Sequence, residues 1–341
     1  MSGAACRYAR QIRVDGFGAE GQRRLARARV GIVGVGALGS RVAEDLGRAG
    51  IGYLRLIDRD WIELSNLHRQ HLYDEADALN EEPKALAAAR RLTAINSEIE
   101  LAPQLRDLGP LEVDELLGDL DIVIDGTDNF QTRYLVNDFC VRNGTPWIYG
   151  ACVSSQGMVA PFLPNGACLR CVFPAPPPAS TAPTCETAGI LPPAAAFVTA
   201  MQCMLALRIL ATDTPPDCTL TTIDILTGDL RSMRLPPMSD PDCPACGRGE
   251  FPALDPAGAS RTKRLCGRNA VQLSAAAASF PPLAELAVRL QAQFPCELSP
   301  HMLRVQIPEG KISVFRGGRA IVQGTQDEGR ARALFDRYIG S

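Results

Sequence analysis

Along the first half of the chain, short runs of branched apolar residues alternate with stretches whose apolar positions recur every three to four residues. Residues 28–33 (ARVGIV) form one such run, Gly34 follows directly, and 38–50 continue with helical periodicity. That succession predicts strand, glycine turn and helix. Residues 53–58 read as a second strand ending on an acid, 83–95 as a helix opening at a proline, and 120–125 as another apolar strand. A helical pattern over 129–143 then gives way to an extended one over 146–152. Strands alternating with helices predict an α/β fold with a doubly wound, mostly parallel Rossmann-like sheet.

Residues 157–162 and 219–233 are extended in pattern, with a long apolar helix between them at 193–211. They are expected to continue the same sheet as antiparallel strands. Residues 174–183 (PAPPPASTAP) contain too many prolines and small residues for regular structure, so an exposed loop is expected there. A second breaker-rich stretch divides the chain into a main domain over 1–250, a linker over 251–266 and a small α+β domain over 267–341. The small domain has helical patterns near 283–294 and 328–338 and short strand patterns near 303–307, 312–315 and 320–322.

Composition narrows the function classes. With 341 residues, 46% hydrophobic and 21% charged, the chain can bury a core in each of two domains. A net charge of -3 offers no broad attraction for nucleic acid or anionic lipid. No signal-peptide pattern opens the chain, and no uninterrupted apolar run approaches the roughly 20 residues that span a bilayer. A cytoplasmic location is expected. Under reducing conditions the twelve cysteines point to metal ligation or thiol chemistry rather than disulfides.

Two groups of residues carry candidate chemistry. Gly34, Gly36 and Gly39 form G-x-G-x-x-G between a predicted strand and a predicted helix, where backbone N–H groups can approach phosphate. Asp58 closes the next strand, placed to accept hydrogen bonds from ribose hydroxyls. NAD and ATP satisfy both features equally. The surrounding residues favour ATP: Asn66, Arg69 and Gln70 in SNLHRQ, Lys84 at a helix start, and Asp128 in DGTDN after the 120–125 strand. A hydride-transfer site has no use for that charged inventory, which leaves an NAD-dependent oxidoreductase as the alternative. The second group is Cys168 with Cys171 and Cys243 with Cys246, two C-x-x-C pairs of the spacing that builds closed tetrahedral zinc sites.

From about residue 7 to residue 247 the chain resembles the MoeB and ThiF adenylyltransferases, relatives of the eukaryotic ubiquitin-activating enzymes. The resemblance rests on RY-x-RQI at 7–12, GVGALGS at 34–40, D-x-D at 58–60, SNLHRQ, DGTDN, TCETAG at 184–189 and the two C-x-x-C pairs, all in the expected order. It implies an enzyme that uses ATP to activate the terminal glycine carboxylate of a ubiquitin-like sulfur-carrier protein. Asp58 resembles the ribose-binding acid; Asn66, Arg69, Gln70 and Lys84 the triphosphate ligands; Asp128 the magnesium ligand. Arg10 resembles an arginine that reaches ATP from a neighbouring subunit, which implies a homodimer. Cys185 matches a cysteine that takes the acyl group or a persulfide in some relatives and is dispensable for adenylation in others. A sulfur donor is a further expected partner. A non-catalytic scaffold of the same fold is a second alternative, against which the intact charged set argues.

The chemistry fits that inventory. A terminal carboxylate, with a pKa of about 3.3 to 3.7, is ionised at neutral pH and needs no general base. What it needs is cations and N–H donors to relieve repulsion from the polyphosphate. Two departures stand out: Pro192 and Pro193 follow the TCETAGIL stretch, where glycine is usual in the family, and the 267–341 tail has no counterpart in the motifs.

Overall fold

The computed structural model describes residues 7–176, 185–236, 240–256, 262–265, 269–274, 282–299, 301–316 and 319–340; for 185–186, 262–265 and 274 it describes the backbone alone. The chain divides into two compact units, 1–257 and 258–341.

The first unit is built on an eight-stranded sheet. In chain order its strands are β1 (Arg29–Val33), β2 (Tyr53–Ile57), β3 (Glu100–Gln104), β4 (Ile122–Asp125), β5 (Trp147–Val153), β6 (Gln156–Phe162), β7 (Thr219–Asp224) and β8 (Asp229–Arg234). They lie in the order β3-β2-β1-β4-β5-β6-β7-β8. The first five run parallel, and β6, β7 and β8 add antiparallel pairings at one side. In β1 four of five residues are buried and in β4 all four. Strands covered on both faces need such continuous apolar runs, which is why they were legible as runs rather than alternations.

The helices Gly39–Ala49, Lys84–Ile95, Phe130–Asn143 and Pro192–Ala211 follow the patterns predicted for them. Val42, Ala43 and Leu46 carry the buried stripe of the first, which stops at Gly50 in the left-handed region, φ 86°. Asn129 opens the third by accepting from the Thr132 N–H at 2.9 Å, a cap worth about 1 kcal/mol. The fourth begins on the two prolines that depart from the family pattern. At the first helical positions their missing N–H groups would have no partner in any case, so they start the helix instead of diverting the crossover.

That last helix is apolar apart from Thr199, Gln202 and Arg208, which interrupt the run. It has 20 residues, and an 18-residue window within it reaches a mean hydropathy of 1.7, long and apolar enough to cross a membrane by length and composition. Ala194, Ala195, Val198, Leu205 and Ala206 are buried in the main core, so its apolar positions serve packing against β5, β6 and two neighbouring helices.

The second unit has a six-stranded antiparallel sheet, β11-β12-β13-β14-β10-β9. Its strands are β9 (Thr262–Leu265), β10 (Ala270–Ser274), β11 (Cys296–Leu298), β12 (Met302–Ile307), β13 (Gly310–Phe315) and β14 (Arg319–Gln323). Leu286, Leu290, Leu334 and Phe335 of the helices Leu283–Leu290 and Glu328–Tyr338 pack with Leu303, Val305, Ile312 and Val314 in one core. Strand β9 lies inside the stretch expected to be linker. It pairs antiparallel with β10, and its sequence TKRL has no apolar alternation to announce it. The expected loop over 174–183 falls mostly outside the described residues.

Candidate nucleotide site and cysteine cluster

The order of the parallel strands reverses at β1, which has β2 on one side and β4 on the other. Ligands of open α/β sheets bind at such a switch point, beyond the carboxyl ends of the strands. Three glycines make this crevice possible. Gly34 sits at φ 84°, and a Cβ there would come within 2.8 Å of the Gly126 carbonyl at the end of β4. Gly39 has no room for a side chain either, because its own Cβ would strike the Gly34 carbonyl. Gly36 differs. A Cβ there would meet only the Gln70 amide nitrogen, at 3.8 Å, so its bareness is not demanded by packing. It leaves an open backbone cradle of the kind phosphate groups occupy at a helix N-terminus.

Asp58 clamps this loop. One carboxylate oxygen accepts from the Val35 N–H at 2.7 Å and the other from the Asp60 N–H at 2.7 Å. Burial pushes its pKa up, opposed by the positive charge of Lys84 and helped by the negative charge of Asp60. Lys84 is itself buried, with its ammonium 3.7 Å from Asp60 and its N–H donating to the Asp60 carbonyl at 2.9 Å. Tyr73 ties these parts together: its hydroxyl donates to the Val35 carbonyl at 2.6 Å and lies 3.3 Å from that of Lys84. Burial raises the tyrosine pKa well above its ordinary value, so it stays a donor.

The SNLHRQ segment closes the crevice. A 3-10 turn, Leu64–Asn66, buries Asn66, whose side-chain oxygen accepts from the Glu63 N–H at 3.2 Å. The His71 N–H donates to the Ser40 hydroxyl at 3.2 Å, which fixes the segment to the start of the Gly39–Ala49 helix. Gln70 is 4% exposed, yet its side-chain oxygen has no hydrogen-bond partner among the described residues. A buried orphan beside an open glycine cradle fits a polar ligand. The Arg69 guanidinium donates to the Ser65 carbonyl at 2.9 Å, and no carboxylate of the described residues pairs with it.

Asp128 stands on the loop three residues beyond β4, two residues after the Gly126 that touches Gly34, and is exposed. A set that sequence reasoning missed holds its loop. Asp125 and Arg133 form a buried ion pair at 2.9 Å, and Gln202 donates to the Asp125 carbonyl at 2.8 Å. Arg133 falls eight positions after Asp125, in the predicted helix over 129–143, where nothing in its spacing singles it out.

Arg10 is elsewhere. Gln11 next to it donates to the Ala49 carbonyl at 2.9 Å, so Arg10 lies at the far end of the helix that starts beside the glycine loop. An 11-residue helix separates the two by about 16 Å. With Arg7 and Arg13 it lines an open hollow of about 480 Å³. Cys185 opens a short helix, Cys185–Ala188, and its side chain lies outside what is described.

The four cysteines of the two C-x-x-C pairs converge. Their Sγ atoms all lie within 4.8 Å of one another, with Cys168 to Cys243 at 3.7 Å and Cys171 to Cys246 at 3.4 Å. A tetrahedral zinc with bonds of about 2.3 Å would set its sulfurs about 3.8 Å apart, so the cluster fits zinc. Burial, with the neighbouring sulfurs, pushes the Cys168 thiol up to about 12, so its thiolate is stabilised here by a bound cation. Asp138 backs the cluster through a bidentate pair with Arg170, both bonds 2.7 Å, and accepts from the Ala253 N–H at 3.0 Å.

The ThiF family model matches residues 8–245. The chain belongs to the ThiF family. It is 38% identical over 338 residues to the sulfur carrier protein ThiS adenylyltransferase of Bacillus subtilis (strain 168), covering 98% of this chain and 99% of the relative. It is 40% identical over 248 residues to the sulfur carrier protein adenylyltransferase of Thermus thermophilus, covering 71% and 90%. Among solved structures, E. coli MccB with a bound MccA variant shares the fold, with a TM-score of 0.63 at 22% identity over 72% of this chain and 75% of that one. The relative from Bacillus extends past the ThiF-matched region, so the 258–341 unit is not peculiar to this chain.

Proposed function

We propose that this ThiF-family chain is an adenylyltransferase that activates the C-terminal glycine carboxylate of a ubiquitin-like sulfur-carrier protein. One observation carries the reading. A glycine cradle and a buried, unmatched amide oxygen meet at the switch point of a chain that aligns nearly end to end with a ThiS adenylyltransferase. A carboxylate oxygen of the carrier attacks the α-phosphorus of ATP; the bond to the β-phosphate oxygen breaks and pyrophosphate leaves with its electron pair. No proton moves, so no general base is required.

The residues divide the work. Backbone N–H groups of the 34–39 loop and the N-terminus of the following helix receive the phosphates. Asp58 accepts from the ribose. Asn66, Arg69, Lys84 and the side-chain N–H of Gln70 hold the triphosphate, the unmatched Gln70 oxygen accepts from a hydroxyl or ligand-bound water, and the cations stabilise the charge that grows on pyrophosphate. Asp128 holds magnesium, which neutralises phosphate charge when bound; one carboxylate plus phosphate oxygens is an ordinary magnesium site. Arg10 acts on the partner subunit's nucleotide, since its own is a helix length away. That assignment requires a homodimer. Zinc in the four-cysteine cluster has no open position and serves structure alone. The free cysteines among the described residues suit the reducing cytoplasm, where a sulfur donor would complete the transfer to the carrier.

The test is exchange of labelled pyrophosphate into ATP, dependent on a carrier ending in Gly-Gly. Asp128→Ala should reduce it by about a thousandfold, the scale of losing a principal stabiliser of transition-state charge, without unfolding the protein. Arg10→Ala homodimers should be similarly impaired. Mixing the two variants should restore about a quarter of wild-type exchange if subunits assort freely, because one site in the heterodimer is intact. Full exchange in Asp128→Ala would sink the mechanism; no recovery on mixing would confine Arg10 to its own chain.

A further inference from the structure

Asp125, Arg133 and Gln202 are buried polar groups that the proposed chemistry does not use. Burying a guanidinium is costly unless its donors are matched. Those of Arg133 go to Asp125 at 2.9 Å, the Thr127 carbonyl at 2.6 Å and the Gly150 carbonyl at 3.0 Å. The rings of Tyr149 and Phe130 lie 5.2 and 5.4 Å from it. Two of its three acceptors are backbone carbonyls, one on the loop after β4 and one on β5. The second Asp125 oxygen is spent on the same loop, accepting from the Thr127 N–H at 2.8 Å and its hydroxyl at 2.6 Å. Gln202 reaches in from the Pro192–Ala211 helix to the Asp125 carbonyl, and its amide fills the space a side chain at Gly150 would need. Every one of these bonds ends within three residues of Asp128 or on the strand beside it, while Asp128 itself is left exposed.

We propose that Arg133 and Gln202 are positioning residues, holding the 126–128 loop so that Asp128 presents its carboxylate to magnesium on the bound nucleotide. The proposal rests on the adenylation reading for its purpose. If the brace served stability alone, a well-packed apolar group would do as well, because buried ion pairs seldom stabilise more than hydrophobic replacements. The planar fork is needed to reach two carbonyls and a carboxylate at once, and lysine cannot reproduce it.

The experiment is ATP binding by calorimetry on the full chain, with magnesium and with EDTA, for wild type, Arg133→Lys and Gln202→Met. We expect metal-free binding within about twofold of wild type, and a magnesium-dependent gain smaller by about tenfold, the usual scale for losing an outer-shell partner of a metal ligand. Half-maximal pyrophosphate exchange should need about tenfold more magnesium. Variants that lose melting temperature but keep the whole magnesium gain overturn the proposal, as does a wild type with no magnesium gain at all. Gln202→Met keeps both charges of the brace and decides the matter if Arg133→Lys does not fold. A wild type with the magnesium gain but no exchange on any carrier would sink the adenylation reading and leave the brace standing.

Discussion

The helix Phe130–Asn143 carries two buried ion pairs, and they serve opposite purposes. Near its start, Arg133 pairs with Asp125 and donates to the Thr127 carbonyl on the loop of Asp128 and to the Gly150 carbonyl on β5. Five positions later Asp138 pairs with Arg170, beside the cysteine cluster, and accepts from the backbone at 253. At the cysteine end the groups answer one another: fork to carboxylate, N–H to carboxylate, sulfur to sulfur. At the nucleotide end the scaffold is equally tight, yet the groups it presents are left open, with Gln70 oxygen unmatched, Arg69 without a carboxylate among the described residues and Asp128 exposed. A closed set of partners marks a structural joint, and a rigid frame around open groups marks a place where something binds.

The largest effect should come from opening the closed end. Stripping zinc with a strong chelator, or Cys243→Ser, should remove about one zinc per chain and lower the melting temperature on the order of 10 °C, given a few kcal/mol and a domain of this size. Before stripping, the four thiols should resist alkylation. Metal analysis with thiol titration checks both, and native protein that holds no zinc and alkylates freely at all four cysteines would undo the assignment.

Asp138→Ala is the next largest. It strands Arg170 without its partner in a site where that side chain is 10% exposed, and breaking a buried pair in this way costs about 3–5 kcal/mol. Chemical denaturation should register that loss. Pyrophosphate exchange per folded molecule should stay within about twofold, because no bond of Asp138 reaches the 126–128 loop. Asp128→Ala should do the reverse, abolishing exchange with unfolding free energy changed by no more than about 0.5 kcal/mol, as for an exposed side chain. Should the stable and the active properties fall together in either variant, the two ends are one cooperative unit.

The parts legible in sequence were those in which one residue type does one job. Continuous apolar runs gave the parallel strands, the spaced glycines gave the crevice, and paired C-x-x-C gave the cluster. Strand β3 escaped because ELAPQ is half polar and contains Pro103, which only an edge strand tolerates. The helix Gly18–Leu25 escaped because its two glycines and charged residues weaken the pattern. Asp125, Arg133 and Gln202 escaped for another reason. A glutamine inside an apolar helix and an arginine in a first turn acquire meaning only when chain segments 77 residues apart are brought to 2.8 Å. Sequence periodicity reports which face of an element is buried, and carries nothing about which carbonyl a buried amide meets.

Cys185 should have the smallest effect of all, and the reason is chemical. It precedes the helix that carries Gln202 and follows the C-x-x-C pair of Cys168 and Cys171, so along the chain it lies between the two ends compared above. Exchange of pyrophosphate into ATP is complete once carboxylate oxygen has displaced pyrophosphate; no sulfur takes part in either direction. Cys185→Ser should therefore leave exchange within about twofold of wild type, as for any substitution outside the transition state of that step. Any role for the thiol lies afterwards, in attack on the acyl-adenylate with release of AMP, and would register as a carrier bound covalently in wild type and missing in Cys185→Ser. Exchange that collapses in Cys185→Ser while the protein stays folded would mean that the crossover shapes the nucleotide site itself, and the separation between a rigid phosphate frame and a downstream thiol would have to be abandoned.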